Sequence, residues 1–298
     1  MAELRQNSYG KQRVRLTRIA REEPAAGSEP PVHRVYEYTV EIMLHGAFDR
    51  VYTHADNAAC VPTDTMKNTV YAVARTSRFN SPEQFADVLS ARFIDRFEQV
   101  EAVEVEVEAQ RWRRIEVDGV PHPHAFEKEH GTRTARISRR GADTASSEIT
   151  LSGGIRGMEM FKSTGSGFTG FYHDEYTSLT ETTDRILATT VDADWRYVAG
   201  VDIAGTDFDP VWDTIHRTLG RVFSEHDSPS LQATLWAMGT AVLDGVSLVD
   251  SISFSMPNQH HIRFEMSAFG LDNPNEIFYG TDSPYGIITG TVGREEAR

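Results

Sequence analysis

The segment SPEQFADVLSARFIDRFEQVEAVEVEVE, residues 81–108, joins a helix to a strand and decides the fold class. Ser81 and Pro82 predict a helix start, because serine caps the first N–H groups and proline fits the first helical position. Gln84 fits the capping-box pattern. The helix then presents one apolar face through residues spaced three and four apart: Phe85, Val88, Leu89, Phe93 and Phe97. Residues 101–108 alternate glutamate with apolar residues, which predicts a strand buried on one face.

The rest of the first half adds strands and a second helix. The predicted elements are strands over residues 11–19 and 35–44, a hairpin loop over residues 21–32, a helix over residues 65–74, the strand from residue 101 toward Ile115, a turn at Asp118-Gly119 and a further strand through His124 and Phe126. These elements have the order strand, strand, helices, strand, strand.

The second half repeats this order. Its predicted elements are a strand pair over residues 132–138 and 149–162 around a Gly-Ala-Asp turn, helices that open at Asp209-Pro210 and Ser228-Pro229, and a hairpin of residues 246–256 with 261–266 around the turn 257–260. We therefore predict an internal repeat, with one domain over residues 1–130 and another over residues 131–298. Antiparallel sheets with helices on one face form an α+β fold, and their open edges favour an oligomer that closes them into a barrel.

Composition narrows the classes of partner. The chain has 298 residues and a formal net charge of −14, which disfavours nucleic acid and anionic membrane surfaces. Its single cysteine, Cys60, allows no intramolecular disulfide and fits a reducing compartment. Residues 1–9 lack the apolar core of a signal peptide, no apolar run is long enough to span a bilayer, and the chain does not end in Ser-Lys-Leu. We expect a soluble cytoplasmic protein.

Five short segments carry residues suited to chemistry: YGK at 9–11, VPTDTMKNT at 61–69, FKSTGSGF at 161–168, ETTDRIL at 181–187 and SFSMPNQHH at 253–261. Taken singly, each has an ordinary structural explanation. Lys11 fits a solvated charge, Thr63 or Asp64 fits a helix cap, Phe168 fits a core aromatic, and Arg185 fits an ion pair with Asp184 or Glu181. A histidine between strands, such as His260, is more often exposed than catalytic.

Together these segments resemble the urate oxidase (uricase) family. The resemblance rests on YGK, on the TDxxKNTxY pattern at residues 63–71, on KSTxSxFxGF at 162–171, on ETTDRILAT at 181–189, on LQATLWxM at 231–238 and on PNxHH at 257–261. The motifs occur in the family's order and extend over nearly the whole chain, so jointly they are specific.

The resemblance implies the tunnelling fold, in which each subunit has two ββααββ units, dimers close a barrel and two barrels stack into a homotetramer. It implies oxidation of urate by molecular oxygen and water to 5-hydroxyisourate and hydrogen peroxide, with no cofactor and no metal. Its active sites lie between subunits. One chain would contribute Lys11, Thr63 and Asp64, and its neighbour would contribute Phe168, Arg185, Leu231, Gln232, Asn258 and His260.

The same resemblance implies a role for each residue. Lys11, Thr63 and His260 would form a catalytic proton relay with Lys11 as the base. Substrate would be held by Thr63, Asp64, Phe168, Arg185, Leu231, Gln232 and Asn258, with Phe168 stacked on the purine ring, Arg185 and Gln232 on opposite edges, and Asn258 with Thr63 holding oxygen and then water.

Four other interpretations compete with this one. A metal-dependent hydrolase would use His122, His124, His130, His260 and His261, but the chain has no H-E-x-x-H or C-x-x-C spacing. An enzyme acting on pterins could share the fold, and a purine-binding oligomer could share the scaffold without activity. Cys60 as a nucleophile has apolar neighbours and no activating base nearby in the sequence.

Overall fold

The computed structural model describes residues 2–21, 32–141 and 143–295, with only the backbone of residue 282. The strands are β1 (Tyr9–Arg21), β2 (His33–Gly46), β3 (Val100–Val117), β4 (Val120–Arg140), β5 (Glu148–Lys162), β6 (Leu187–Tyr197), β7 (Val249–Arg263) and β8 (Phe278–Gly293). The helices are α1 (Asp49–Thr53), α2 (Thr63–Thr76), α3 (Pro82–Arg96), α4 (Phe208–Glu225) and α5 (Leu231–Gly245), with a short 3-10 helix at Ser267–Phe269. The hairpin loop predicted for residues 21–32 lies, except for its ends, outside the described residues.

The α+β class is confirmed. The strands form one large sheet in chain order, β1-β2-β3-β4-β5-β6-β7-β8, and the pairs β1–β2, β2–β3, β3–β4 and β7–β8 are antiparallel. No described helix combines the length and the apolar composition that a bilayer crossing requires. The chain divides into two compact units, one of Met1–Gly154 with Arg196–Asp209 and one of Ile155–Trp195 with Pro210–Arg298. The boundaries of these units differ from those of the predicted repeat, whose boundary near Gly131 stays a prediction.

In the first unit, the segment that decided the fold class has the predicted structure. The Ser81 hydroxyl accepts a hydrogen bond from the Gln84 N–H at 3.2 Å and caps α3. The Gln84 side chain accepts from the Asn80 N–H rather than from Ser81, so the capping box is shifted by one residue. The core lies between the sheet and two helices and is formed by Val40, Ile42 and Leu44 of β2, Val103, Val105 and Val107 of β3, Met66 and Val70 of α2, and Phe85, Leu89 and Phe93 of α3.

Strand β4 differs from the prediction. We predicted one strand through His124 and Phe126 and a second over residues 132–138, but both belong to the continuous strand β4. Gly131 has φ +77°, and the register with β3 shifts between Gln110 and Trp112. Glycine takes this left-handed backbone conformation without a Cβ clash, so the irregularity bends the ladder without ending the strand.

In the second unit, α5 packs against β7 and β8 through a close approach. A Cβ on Gly239 would lie 2.5 Å from Cγ2 of Val292, so only glycine lets the helix approach the sheet this closely. Ser230 rather than Ser228 caps α5, and its hydroxyl accepts from the Ala233 N–H at 3.1 Å. The helix predicted to begin at Asp209-Pro210 is α4.

The hairpin predicted around residues 257–260 is wrong. Strand β7 runs through Pro257, Asn258 and His260 without turning, and its partner is β8, which we did not predict. Asn258 pairs with Gly286 and His260 with Thr281. The extra residues therefore lie on β8 between these two partners, and β8 bulges while β7 stays extended.

Candidate active site

The YGK segment opens β1, and each of its residues has a separate structural role. The Tyr9 hydroxyl accepts a hydrogen bond from the N–H of buried Val61 at 2.7 Å, and its burial raises the pKa of that phenol. A Cβ on Gly10 would lie 1.8 Å from the carbonyl oxygen of Ile42, so glycine is required beside β2. Lys11 follows, half-buried, and the register of β1 shifts directly after it, where Arg13 has φ +56°.

Thr63 and Asp64 open helix α2, but neither caps it as their residue types suggested. The N-cap position is Pro62, whose side chain has no acceptor, and no side chain accepts a capping hydrogen bond. The first N–H groups of α2 therefore keep the partial positive charge that makes a helix start attractive to anions. The Asp64 carboxylate binds Lys67 at 2.5 Å and Asn68 at 2.9 Å within the same helix.

Lys11 and Asp64 lie within electrostatic range of each other. The pKa of the Asp64 carboxyl is lowered mainly by the hydrogen bond from Lys67, with smaller contributions from Asn68 and from the charge of Lys11. Tyr9 explains this proximity, because its hydrogen bond to Val61 holds the start of β1 against the turn that leads into α2. The first unit thus brings Lys11, Thr63 and Asp64 together.

Arg185 does not form the ion pair that its neighbours suggested. The Glu181 carboxylate accepts from the Gly170 N–H at 2.8 Å, and the Asp184 carboxylate accepts from the Thr164 hydroxyl at 2.7 Å. In the described part of the chain the buried Nε of Arg185 has no hydrogen-bond partner, and burial lowers the pKa of its guanidinium. An unpaired, partly desolvated guanidinium is costly unless a ligand supplies its acceptors.

Phe168 lies beside this guanidinium. The Arg185 Cζ is 5.3 Å from the centroid of the Phe168 ring, a distance at which cation and ring attract. Phe168 is not a core residue: its ring is half-buried and stacks on Phe171 at 4.8 Å with an interplanar angle of 11°. Its backbone exchanges two hydrogen bonds with Thr182, which fixes the segment that follows Gly167 next to the segment that contains Arg185.

The start of α5 is tied to the same segments. The Arg185 N–H donates to the Ser166 carbonyl at 2.8 Å, the Gly167 N–H donates to the Ser228 carbonyl at 2.8 Å, and the Ser228 N–H donates to the Gly165 carbonyl at 3.0 Å. Leu231 and Gln232 follow directly, as the first residues of α5; Leu231 is buried and Gln232 is exposed. Backbone hydrogen bonds therefore link the segments that carry Phe168 and Arg185 to Ser228, which precedes Leu231 by three residues.

Asn258 and His260 share one face of β7, because side chains two residues apart in an extended strand point the same way. This face carries the buried residues Ile252, Phe254 and Met256 farther back along the strand. A Cβ on Gly290, the partner of Phe254, would touch Leu235 of α5 at 3.2 Å, while Gly239 lies at the level of Val292. From Gly239 back to Leu235, α5 therefore runs along the sheet toward the end of β7 that carries Asn258. In the described part of the chain, no hydrogen bond, ion pair or ring contact joins Asn258 or His260 to Arg185.

Two residues with supporting roles escaped the sequence reasoning. Tyr9 and Lys162 both lie inside motifs that we quoted, but only the structure shows that the Tyr9 hydroxyl holds Val61 and that the Lys162 ammonium holds the turn before α5. The histidines of the hydrolase interpretation are not brought together as a group in the described residues. His122 and His124 meet edge to face at 4.4 Å, and across the described ranges no three His, Cys, Asp or Glu side chains are grouped so as to hold a metal ion.

Comparison with known proteins gives a consistent result. The uricase family model matches residues 7–138 and 151–289. The chain is 40% identical to the uricase of Arthrobacter globiformis over 99% of this chain and 91% of that protein, and 34% identical to the uricase of Aspergillus flavus over 100% and 99%.

Solved structures agree with these sequence matches. The crystal structure of the Arthrobacter globiformis uricase superposes with a TM-score of 0.89 at 40% identity, covering 100% of this chain and 97% of that chain. A urate oxidase of Bacillus sp. TB-90 shares the fold with a TM-score of 0.82 at 21% identity, covering 97% of this chain and 100% of that chain. The chain belongs to the uricase family.

Proposed function

We propose that this chain oxidises urate with molecular oxygen and water to 5-hydroxyisourate and hydrogen peroxide, without a bound cofactor. The observation that carries the proposal is the Arg185 guanidinium, which has no carboxylate partner and lies beside the Phe168 ring in a member of the uricase family. An aromatic face next to an unpaired donor fork suits a flat anion edged with carbonyl oxygens.

Urate recognition follows from these donors and acceptors. Arg185 donates to a carbonyl oxygen and the adjacent ring nitrogen, and Gln232 pairs its amide with an N–H and a carbonyl on the opposite edge. Phe168 stacks on the ring, and Leu231 contributes a backbone contact. The Asp64 N–H, at the uncapped start of α2, donates to a ring nitrogen.

The chemistry requires a more electron-rich substrate. Removing a proton from bound urate raises its electron density, so that the purine itself can reduce oxygen. Lys11 in its neutral form accepts this proton through the Thr63 hydroxyl, and His260 extends the relay. Asn258 with Thr63 holds oxygen and then water above the ring. The two electrons that leave urate appear in hydrogen peroxide, and water supplies the new hydroxyl group of 5-hydroxyisourate.

We further infer a cytoplasmic homotetramer in which the site forms between subunits. Lys11, Thr63 and Asp64 belong to the first compact unit, and the remaining site residues belong to the second. In the proposed assembly, the first set of one subunit faces the second set of its neighbour, and two ββααββ repeats per chain, residues 1–130 and 131–298, close a barrel on dimerisation. In the described residues β1 lies at one edge of the sheet, which supports this assembly because an exposed strand edge favours pairing with another chain.

The activity is tested by incubating purified protein with urate in metal-free buffer. We expect urate absorbance to fall while oxygen is consumed and peroxide appears in equal amount. A pterin offered in place of urate should give neither change. Turnover of the pterin, or no oxygen uptake with urate, would contradict the proposal.

The shared site is tested separately by co-expressing Lys11→Met and Arg185→Ala chains, each of which should be nearly inactive alone at a urate concentration near the wild-type KM. If two neighbouring subunits form each site, a site is intact when one subunit supplies Lys11 and the other supplies Arg185. Random mixing gives this combination in about a quarter of the sites, so activity should recover to about a quarter of wild type. A mixture as inactive as its parents would show that both residues act within one chain.

A further inference from the structure

The chain has only four lysines, Lys11, Lys67, Lys128 and Lys162, among many arginines. Lys162 ends β5, and the KST motif places it directly before the segment that carries Phe168. Lys162 is half-buried. Neither the proposed recognition of urate nor the proposed proton relay uses it. Burial lowers the pKa of this ammonium, and the charge of Asp227 opposes that effect.

The Lys162 ammonium binds the turn that precedes α5. It donates to the carbonyl oxygen of His226 at 2.6 Å and to the hydroxyl of Ser228 at 3.1 Å. Ser228 is fully buried, and its hydroxyl also accepts from the hydroxyl of buried Thr234, inside α5, at 2.8 Å. The ammonium also lies 5.7 Å from the centroid of the Phe223 ring, near the end of α4. One cation therefore joins β5 to the segment between the two helices.

This turn is the connection between the two edges of the candidate site. The backbone of Ser228 bonds to Gly165 and Gly167, and the carbonyl of Ser166 accepts from the Arg185 N–H. Four residues after Ser228, the chain reaches Gln232. Residues 226–228, which Lys162 holds against the end of β5, therefore connect the segment that carries Arg185 to the helix that carries Gln232.

We infer that Lys162 is a positioning residue that fixes the distance between Arg185 and Gln232. It thereby determines how well these two side chains bind the opposite edges of urate. The inference rests on the proposed function. Lys162 is assigned no role in contacting urate or in the proton relay. Because it positions the side chains that hold urate, we expect its effect to be on binding. When an interaction stabilises the bound substrate and the transition state equally, its removal raises KM and leaves kcat nearly unchanged.

The test is Lys162→Met, which keeps the length of the side chain and removes the charge and the donors. Two acceptors of the turn lose their charged donor, so we expect KM for urate to rise at least about tenfold with kcat within about threefold of wild type. The dissociation constant for urate, measured without oxygen so that no turnover occurs, should rise in parallel. Lys162→Arg keeps charge and donors and should restore most of the affinity. Lys128→Met, on an exposed position of β4, is the matched control and should leave both constants unchanged.

Three outcomes would overturn the inference: an unchanged KM and dissociation constant in Lys162→Met, a fall in kcat with unchanged affinity, or failure of Lys162→Arg to improve on methionine. If Lys162→Met does not fold, Ser228→Ala replaces it, because it removes one of the two acceptors. We then expect KM to rise about threefold, and an unchanged KM would count against the inference. Because every comparison is made to active wild type, absence of urate turnover in wild type would refute the proposed function instead.

Discussion

The hydroxyl of Tyr9 accepts the N–H of Val61 at 2.7 Å, across 52 positions of the sequence. This hydrogen bond ties the strand that carries Lys11 to the turn that carries Thr63. It also satisfies a backbone donor of a residue that is only 1% exposed. The relative position of Lys11, the proposed base, and Thr63, whose hydroxyl would pass it a proton, therefore depends on the Tyr9 phenol.

Tyr9→Phe removes this acceptor and keeps the ring. A buried N–H left without a partner costs about 1–3 kcal/mol, and we expect a fall in kcat of roughly tenfold or more with a smaller change in KM. Steady-state kinetics with urate measure both constants. Tyr52→Phe is the control, since the Tyr52 hydroxyl binds the Ser8 carbonyl at an exposed position. Equal kinetics for the two variants would contradict the role of Tyr9.

Lys11→Met tests the assignment of the base. Loss of a general base lowers the rate by about 10²–10⁴-fold, so kcat should fall at least about a hundredfold. Urate binding measured without oxygen should stay within a few fold of wild type, because Lys11 is assigned to proton transfer. Turnover that survives within a few fold would remove Lys11 from this role.

Arg185→Lys tests whether urate binding depends on the two parallel N–H donors of the Arg185 guanidinium as well as on its positive charge. A lysine ammonium is a point charge and cannot reproduce two parallel N–H donors, so KM for urate should rise about 10- to 100-fold. Arg221→Lys, on the exposed face of α4 where Arg221 pairs with Glu225 at 3.2 Å, should change nothing. Arg185→Ala should weaken binding further, and an unchanged affinity in either Arg185 variant would take the residue out of the site.

A buried ion network in the first unit predicts a large stability effect. Glu83 is fully buried and accepts from Arg133 at 2.7 Å and from the Tyr197 hydroxyl at 3.1 Å, and Arg133 also binds Asp209 at 2.6 Å. Glu83→Gln leaves Arg133 buried with less compensating charge and should lower the free energy of unfolding by about 3–5 kcal/mol. Urea unfolding at one fixed protein concentration measures this.

The matched control for this change is Glu106→Gln, which breaks the pair of Glu106 with the exposed Arg136. Exposed pairs contribute about 0–1 kcal/mol, so this variant should unfold close to wild type. Similar losses in the two variants would show that burial of the Glu83 network does not determine its contribution.

Local patterns predicted the four long helices and most strands, because the information lies within a few residues; the short helix α1 and the strands β6 and β8 were not predicted. The cap at Ser81 and the alternation over residues 101–108 are of this kind, and both have the predicted structure. The hairpin at residues 257–260 was wrong because proline and asparagine usually mark turns, whereas here β8 carries the extra residues. A pattern in β7 contains no information about an irregularity in its partner strand.

The candidate site shows the same limit. Family motifs indicated Lys11, Arg185 and the other site residues, but the residues that hold them in place act across long separations that no short pattern encodes. Lys162 meets Ser228 66 positions later. Only the structure shows that Arg185 has no ion pair, because Glu181 and Asp184 lie close to it in the sequence but accept hydrogen bonds from Gly170 and Thr164 instead.

The scarcity of lysine has a practical consequence for chemical derivatisation. Reagents that acylate side-chain amines have four targets, and Lys11, Lys67 and Lys162 lie in or beside the candidate site or its supporting turn. Attachment of polymers or dyes through amines would therefore fall largely on the functional surface. Lys128, at an exposed position of β4, is the one lysine to which no role in the site is assigned, and a handle for coupling is better introduced at a new exposed position.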